Sequence, residues 1–538
     1  MKKTLSVIMS VLLILSLCAV PVFAADYDSE NATGFVFSDS GITVTEGAYT
    51  GYKVKGTALS ITGAGTYVIS GSCSDGTIIV KKNVTGVILG LDGLTLSASA
   101  TAPITCNKGS EVTIIAKSGT LSTLTDDKYN NDDIYTDTEL YPDIENAVIK
   151  CKDGSNVTIN GTGTININSY GKNGIKSGYD LYEEDGNGNA TATLLSTASL
   201  TIREVTLNVN AVANDGIKSD KELNIISGNI SVSAADDAIK CDYVMNIGEE
   251  GTEGPTIKIA KSTEGIEAAQ INIYSGNITV NATDDGINAA NNDLSSYSFG
   301  YNQYGGYVYV NCSKGDGIDS NGTILLKGGT LEVYAPSSGD GEPLDSESTV
   351  TFAGATVLAV GQNQMNQPLA SSGASYVTFG KSSGARPGGI FGGGNTAVVT
   401  ASNTINVKDS SGNTIYSGKA VRNASYVVFS SPSLAGGSSY TLYNGNSSAA
   451  TATAVSSSSG NQPGGQQAGD NQPGQSPGQK TEENQPGWEP GQQQGNQQEA
   501  ENNTGTGDKS SIVNTIIEFL ISVWNWIVSV ISKIKALF

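Results

Sequence analysis

The sequence predicts an all-β protein whose main body is a three-faced parallel β-helix. Three observations predict it: a short phrase recurs along the chain, the segment between two copies reads as three alternating runs, and the composition is that of turn-rich β-structure. The phrase is an acid, a small residue and an isoleucine. It occurs as "NDGIKSD" from Asn214, "DDAIKCD" from Asp236, "TEGIEAA" from Thr263, "DDGINAA" from Asp284 and "GDGIDSN" from Gly315. Weaker copies are "KNGIKSG" from Lys172 and "GDGEPLDSE" from Gly339. Its isoleucine marks a phase at Ile149, Ile175, Ile217, Ile239, Ile266, Ile287 and Ile318, with Leu344 as the last echo, and the tightest spacings are 21 and 22 residues. A fixed period is the mark of stacked repeats, which come first in any reading.

The cleanest unit is "GIKSDKELNIISGNISVSAADD", residues 216–237. It holds three period-2 runs, each the signature of a strand with one buried face. At ~3.3 Å per residue such a unit makes a loop ~70 Å around, the size of one three-sided coil. Hairpins would need a turn every few residues and would not restart one phrase at one phase. Coils stacked at strand spacing are the simplest solution. Thr, Ser, Val, Ile and Asn, with 66 glycines and 15% charged residues, suit strands and turns.

The elements follow in order. Residues 1–24 read as a secretory leader: "MKK", an apolar run, then Val22-Phe23-Ala24 as a small-residue cleavage site. Residues 35–376 form the β-helix, with insertions such as "GYDLYEEDGNGNATATLL" from Gly178 and "NNDLSSYSFGYNQYGG" from Asn291. Residues 377–446 read as a β-rich end region over the exposed edge of the solenoid. Residues 447–510, rich in Gln, Pro, Gly and Asn, read as a disordered linker. Residues 511–538 read as an amphipathic helix whose narrow polar stripe suits a membrane interface or a docking partner. These features predict a secreted protein, with the last helix as a means of retention at the cell surface.

Charge and composition exclude much. A net charge of -22 argues against nucleic acid, whose phosphates need basic surface. There is no histidine, so His-based zinc sites, Ser-His-Asp triads and His bases are excluded. Cys106, Cys151 and Cys241 sit at the phrase position that elsewhere holds Ser177, Ser219, Ala268, Ala289 and Ser320. A site that accepts Cys, Ser or Ala wants a small inward side chain, so these thiols read as packing residues, not as disulfides or metal ligands.

The acids carry the chemistry. In stacked coils one turn lies above the last at about 4.8 Å. The repeat therefore predicts a turn column of Asp215, Asp236, Asp237, Glu264, Asp284, Asp285, Asp316 and Asp340. Beside it alternation predicts an outward column of Lys150, Lys176, Lys218, Lys240, Glu267, Asn288, Asp319 and Asp345, with Asp242 ending its phrase. Unit charges about 5 Å apart repel by roughly 3 kcal/mol at an effective dielectric near 20. A calcium ion, taking six to eight oxygens, would bridge adjacent coils and remove that repulsion. Oxygen ligands without histidine favour calcium over transition metals. The alternative is that Asp and Gly merely build turns. That explains one "DG", but not the doubled acids or the replacement of lysine by Glu267 and Asp319.

Together these residues carry a resemblance. The coils "GIKSDKELNIISGNISVSAADDAIKCD", "STEGIEAAQINIYSGNITVNATDDGINAANN" and "GDGIDSNGTILLKGGTLEVYAP", with "GTYVISGSCSDGTIIV" upstream and "TINVKDSSGNTIYSGKAVRNASYVVFSSPSLAGGSSYTLYNG" downstream, resemble secreted bacterial carbohydrate-binding β-helix proteins. The resemblance implies a right-handed helix similar in fold to pectate lyases, bound calcium, and affinity for plant cell-wall polysaccharide, both acidic pectic chains and cellulose. This chain departs in placing Lys-Cys or Lys-Ser where other copies carry acids, which leaves the ion count open.

Two readings follow. The first is a non-catalytic polysaccharide binder, with calcium bridging uronates and sugar rings stacking on Tyr297, Phe299, Tyr301 and Tyr304. The second is a calcium-dependent lyase that cleaves uronate chains by β-elimination, with Lys240, or else Lys218, as base. Surrounding acids raise a lysine's pKa, the wrong direction for a base, so binding ranks first.

Overall fold

The computed structural model describes residues 27 and 30–456, apart from 46, 180–181, 185–189, 195, 295–296, 340, 364–366 and 381–396. The expected leader, residues 457–510 of the expected linker, the expected helix over 511–538 and Asp340 lie outside the described residues.

The described chain is all strand, and parallel pairing dominates. The unit at 216–237 resolves into the strands Ile217–Ser219, Glu222–Ile225 and Asn229–Ala234, the three runs read from its alternation. Each pairs in parallel with its counterpart one coil on: Ile217 with Ile239, Leu223 with Met245, Val232 with Ile259. The chain is thus a parallel solenoid of three-strand coils.

The marker isoleucines form one unbroken register. Ile149 pairs with Ile175, and the ladder passes through Ile217, Ile239, Ile266, Ile287 and Ile318 to a bridge at Leu344. Upstream it continues through Ile104 and Ile78 to Leu59. A second ladder runs Ile202, Ile225, Ile247, Ile273. A third runs Val209, Val232, Ile259, Val280, Val310, Val333. All these side chains are buried in one continuous core. Fully burying each contributes about 1.5–3 kcal/mol, so phase, once set, holds for the whole stack.

The small residue before the isoleucine has a packing cause. A Cβ at Gly286 would come within 2.1 Å of Val310 Cγ1, and one at Gly317 equally close to Val333 Cγ1. At these two coils the valine of the third strand folds back over the first, and glycine leaves it room. All five described cysteines are buried and free, and for Cys106, Cys151 and Cys241 this is what interchange with Ser and Ala implied.

Both ends break the parallel rule. Strand Thr33–Ser38 runs parallel to Gly65–Cys73 but antiparallel to Gly41–Thr45. At the other end Tyr426–Ser431 lies antiparallel between Thr356–Gly361 and Ser375–Gly380. A four-stranded antiparallel sheet follows, and its last strand is Ser447–Thr453. The end region therefore runs past residue 446, where composition had placed the start of the linker. Ser and Ala there carried no turn signal to mark the strand.

Candidate functional site

Register fixes the outward column as expected: Lys150, Lys176, Lys218, Lys240, Glu267, Asn288 and Asp319 face each other coil by coil. The neighbouring turns stack as well. Gly216 N–H donates to the Asp237 carbonyl, Ala238 to that of Glu264, Gly265 to that of Asp285, Gly286 to that of Asp316 and Gly317 to that of Glu342. Glu342, two residues before Leu344, thus holds the last place in the turn column, which the sequence reading gave to Asp340. Counting back from the leucine identifies it.

Several turn carboxylates tie one coil to the next. Asp215 Oδ1 accepts the Asp237 N–H at 3.3 Å, and Asp285 Oδ1 accepts that of Asp316 at 2.6 Å. Asp316 Oδ1 accepts the Glu342 N–H. Turn building and charge concentration are therefore properties of the same side chains.

Three groups of carboxylates converge with their oxygens within 4.8 Å of one another: Asp215, Asp236 and Asp237; Asp237, Glu264 and Glu267; and Asp316, Asp319 and Asp345. The first two share an internal cation. Lys240 Nζ lies 2.9 Å from Asp237 and 2.5 Å from Glu267. The third has none: among the described residues no ion pair engages Asp316, Asp319 or Asp345. This follows from the switch in the outward column, where lysine gives way to acid after Lys240.

Burial and mutual repulsion act on these groups together. Burial, then Asp237, pushes Asp215 up to about 6 and Glu264 up to about 7. Glu267 rises to about 8 for the same reasons. Burial, then Asp285 and Asp345, drives Asp316 to about 8 and Asp319 to about 7. Asp284 is exposed and, with Asp285, Lys314 and Asp316, lines a cavity of about 500 Å³ beside the third group. Asp242 is elsewhere. It is buried against Lys218, 3.7 Å away, and joins no carboxylate group.

The residues fit a calcium ion. Oxygens within 4.8 Å of one another can share a centre at calcium–oxygen length, about 2.3–2.6 Å. One coil above Asp319, in register with it, Asn288 Oδ1 is buried and accepts no hydrogen bond. Buried acceptors are ordinarily satisfied, and an amide oxygen is a calcium ligand.

The lysines sort differently from the sequence reading. Burial alone would lower Lys240, but Asp237 and Glu267 hold it as a cation well above the ordinary lysine value, the wrong direction for a base. Lys218 is bound to Asp242. The lysine that is lowered is Lys150, to about 8, by burial and then by Lys176. It borders a cavity of about 480 Å³ with Glu145, Lys152 and Tyr179.

Of the predicted aromatic platform, Tyr301 must be withdrawn. It is fully buried, takes the ladder place between Ile271 and Ile324, and donates its hydroxyl to Gln303 at 3.0 Å. Tyr297 and Phe299 pack edge-on at 5.8 Å, and Tyr297 lies 4.6 Å from Tyr243, ring centre to ring centre. Tyr304 is 36% exposed and stacks flat on Tyr274, a partner the sequence did not suggest.

A family model described as Carbohydrate-binding domain-containing protein matches residues 55–189, 179–268 and 251–411. A Carbohydrate-binding domain-containing protein of Acetivibrio thermocellus is 31% identical over 139 residues, 26% of this chain and 46% of that protein. The chain thus spans about half the length of that curated relative. A solved structure of a polysaccharide lyase-like protein from C. thermocellum, a gadolinium derivative, is 21% identical with a TM-score of 0.33, covering 63% of this chain and 99% of that one.

Proposed function

Since this chain belongs to the family of carbohydrate-binding domain-containing proteins, we propose that it is a secreted, non-catalytic polysaccharide binder whose acidic turn column holds calcium and through it acidic pectic chains. The observation that carries the reading is the group Asp316, Asp319 and Asp345: three carboxylates within bridging distance that, among the described residues, no ion pair engages. A calcium ion there offsets two negative charges of the group and keeps open coordination positions toward solvent. A uronate carboxylate supplies the oxygens that the protein does not. Tyr297 and Phe299, with Tyr243, offer ring faces to the same chain. Residues 1–24 support export, and residues 511–538 support retention at the surface.

The lyase reading loses Lys240 as base, because two carboxylates hold its proton. The test is affinity electrophoresis through polygalacturonate, with calcium and with chelator, run beside an absorbance assay for unsaturated products. Retardation that needs calcium, without product, is the expected result. Steady product release that Lys150→Ala abolishes would overturn the binding reading in favour of catalysis.

A further inference from the structure

A second wall of the coils carries a different chemistry. Outward asparagines stack in register at Asn224, Asn246, Asn272 and Asn302. Each passes a hydrogen bond up the stack: Asn246 Nδ2 donates to Asn224 at 2.9 Å, Asn272 to Asn246 at 3.1 Å, and Asn302 to Asn272 at 3.0 Å. An amide has two N–H groups and two acceptor lone pairs. Asn246 and Asn272 each give one N–H and accept one bond in the ladder, while Asn224 accepts from Asn246 and donates to Glu222 Oε1 at 2.9 Å, so the amides are fixed and each keeps capacity for a further bond.

Beside this ladder runs the column Ile226, Gly248, Tyr274, Tyr304 and Lys327, set by backbone hydrogen bonds from each to the coil before. Tyr274 and Tyr304 stack with centres 5.1 Å apart and planes 8° from parallel. Lys327 Nζ lies 5.5 Å from the Tyr304 ring centre and closes that end of the stack. At the other end the next residue is Gly248. Its φ of 72° and a Cβ contact of 2.2 Å with Ser275 Oγ require glycine. The stack therefore stops one coil short, and Tyr274 borders a cleft of about 700 Å³ floored by Asn224, Asn246 and Gly248 and walled by Glu249 and Glu250.

We infer that this cleft is a calcium-independent binding site for an uncharged polysaccharide, with one pyranose ring lying on Tyr274 where the next aromatic of the stack would be. The coil spacing admits one ring. A sugar's C–H face suits a tyrosine held rigid by Tyr304, and its equatorial hydroxyls meet the amides of Asn224 and Asn246. Glu249 and Glu250 are exposed carboxylates that accept further hydroxyls and repel a polyuronate. The site takes only its class of ligand from the family and uses none of the groups assigned to calcium.

The test is calorimetric titration of the full chain in EDTA with cellohexaose, xylohexaose, mannohexaose and hexagalacturonate. At least one neutral hexasaccharide is expected to bind and hexagalacturonate is not. Tyr274→Ala should weaken the neutral ligand about tenfold, while Asp319→Asn leaves it unchanged. Should Tyr274→Ala fail to fold, Tyr274→Leu, which covers Tyr304 but offers no flat face, is read with the same expectation. No binding of any neutral hexasaccharide to the wild type, or binding that Tyr274 variants keep and Asp319→Asn loses, overturns the inference. Hexagalacturonate binding in EDTA that Tyr274→Ala abolishes would also overturn the inference, whereas such binding that Tyr274→Ala leaves unchanged would mark failure of the calcium reading alone.

Discussion

Replacing Asp319 with asparagine should stabilise the protein without calcium and remove its response to calcium. The carboxylates of Asp316, Asp319 and Asp345 lie within 4.8 Å of one another. At an effective dielectric of 20 each ionised pair repels by about 3.5 kcal/mol, and Asp319 takes part in two of the three pairs. Protonation of Asp316, whose pKa is about 8, already relieves part of this at pH 8.5. A net gain of about 3 kcal/mol is a moderate expectation. Asparagine fits, because Asn288 holds the same column one coil away. At about 2.1 cal/mol/K per residue, a body of about 400 residues unfolds with roughly 0.8 kcal/mol/K, so the variant in EDTA should melt about 4 °C higher. Wild type with calcium at a hundred times its Kd gains about 2.7 kcal/mol, or about 3 °C, and the variant should gain less than about 1 °C. The assay is calorimetric melting at pH 8.5 with and without calcium. A wild-type Tm that calcium leaves unmoved, or an Asp319→Asn variant that melts lower in EDTA, would falsify the cation argument.

Other expectations rest on the same geometry. Lys240→Ala should cost about 3 kcal/mol by leaving buried Asp237 uncompensated, and calcium should restore more stability to it than to wild type, read by paired melts. With calcium chelated, Glu264, Glu267, Asp316 and Asp319 have folded pKa values near 7, 8, 8 and 7 against 4.5 or 3.8 unfolded, so the folded state holds the extra protons. Their contribution is complete below about pH 4 and is lost as pH rises toward 8. A urea midpoint that climbs across that window in EDTA would contradict it. Ile239→Ala should cost about 2–5 kcal/mol in the core ladder while leaving hexasaccharide affinity unchanged. Tyr301→Ala should lower the melting point through the same kind of loss and spare sugar binding, as titration of the folded variant will show.

Most of the fold was legible because it rests on a repeated packing constraint. Ile217, Ile239 and Ile266 occupy one position in successive coils, and small residues before and after them mark its inward face. The outward column followed from the same count. What failed was phase inside insertions. Tyr301 follows a long excursion, and no nearby isoleucine showed that it stands in a core ladder. Asn224, Asn246, Asn272 and Asn302 form a ladder whose spacing varies with those excursions, so only strand register reveals it. Charge pairing was illegible for another reason. The sequence places Lys240 among acids, but whether its ammonium reaches Asp237 and Glu267 depends on side-chain path, and that decides which acid group is left for a metal ion.

The backward strand Tyr426–Ser431 bears on how the molecule behaves in numbers. A solenoid of identical rungs has no intrinsic reason to stop, and its last rung would template the first rung of another molecule. The reversed strand pairs with Thr356–Gly361 on one side and with Ser375–Gly380 on the other, so that last rung has no free edge to offer a newcomer. A protein truncated before that strand should therefore self-associate through the exposed rung, and the intact chain should not.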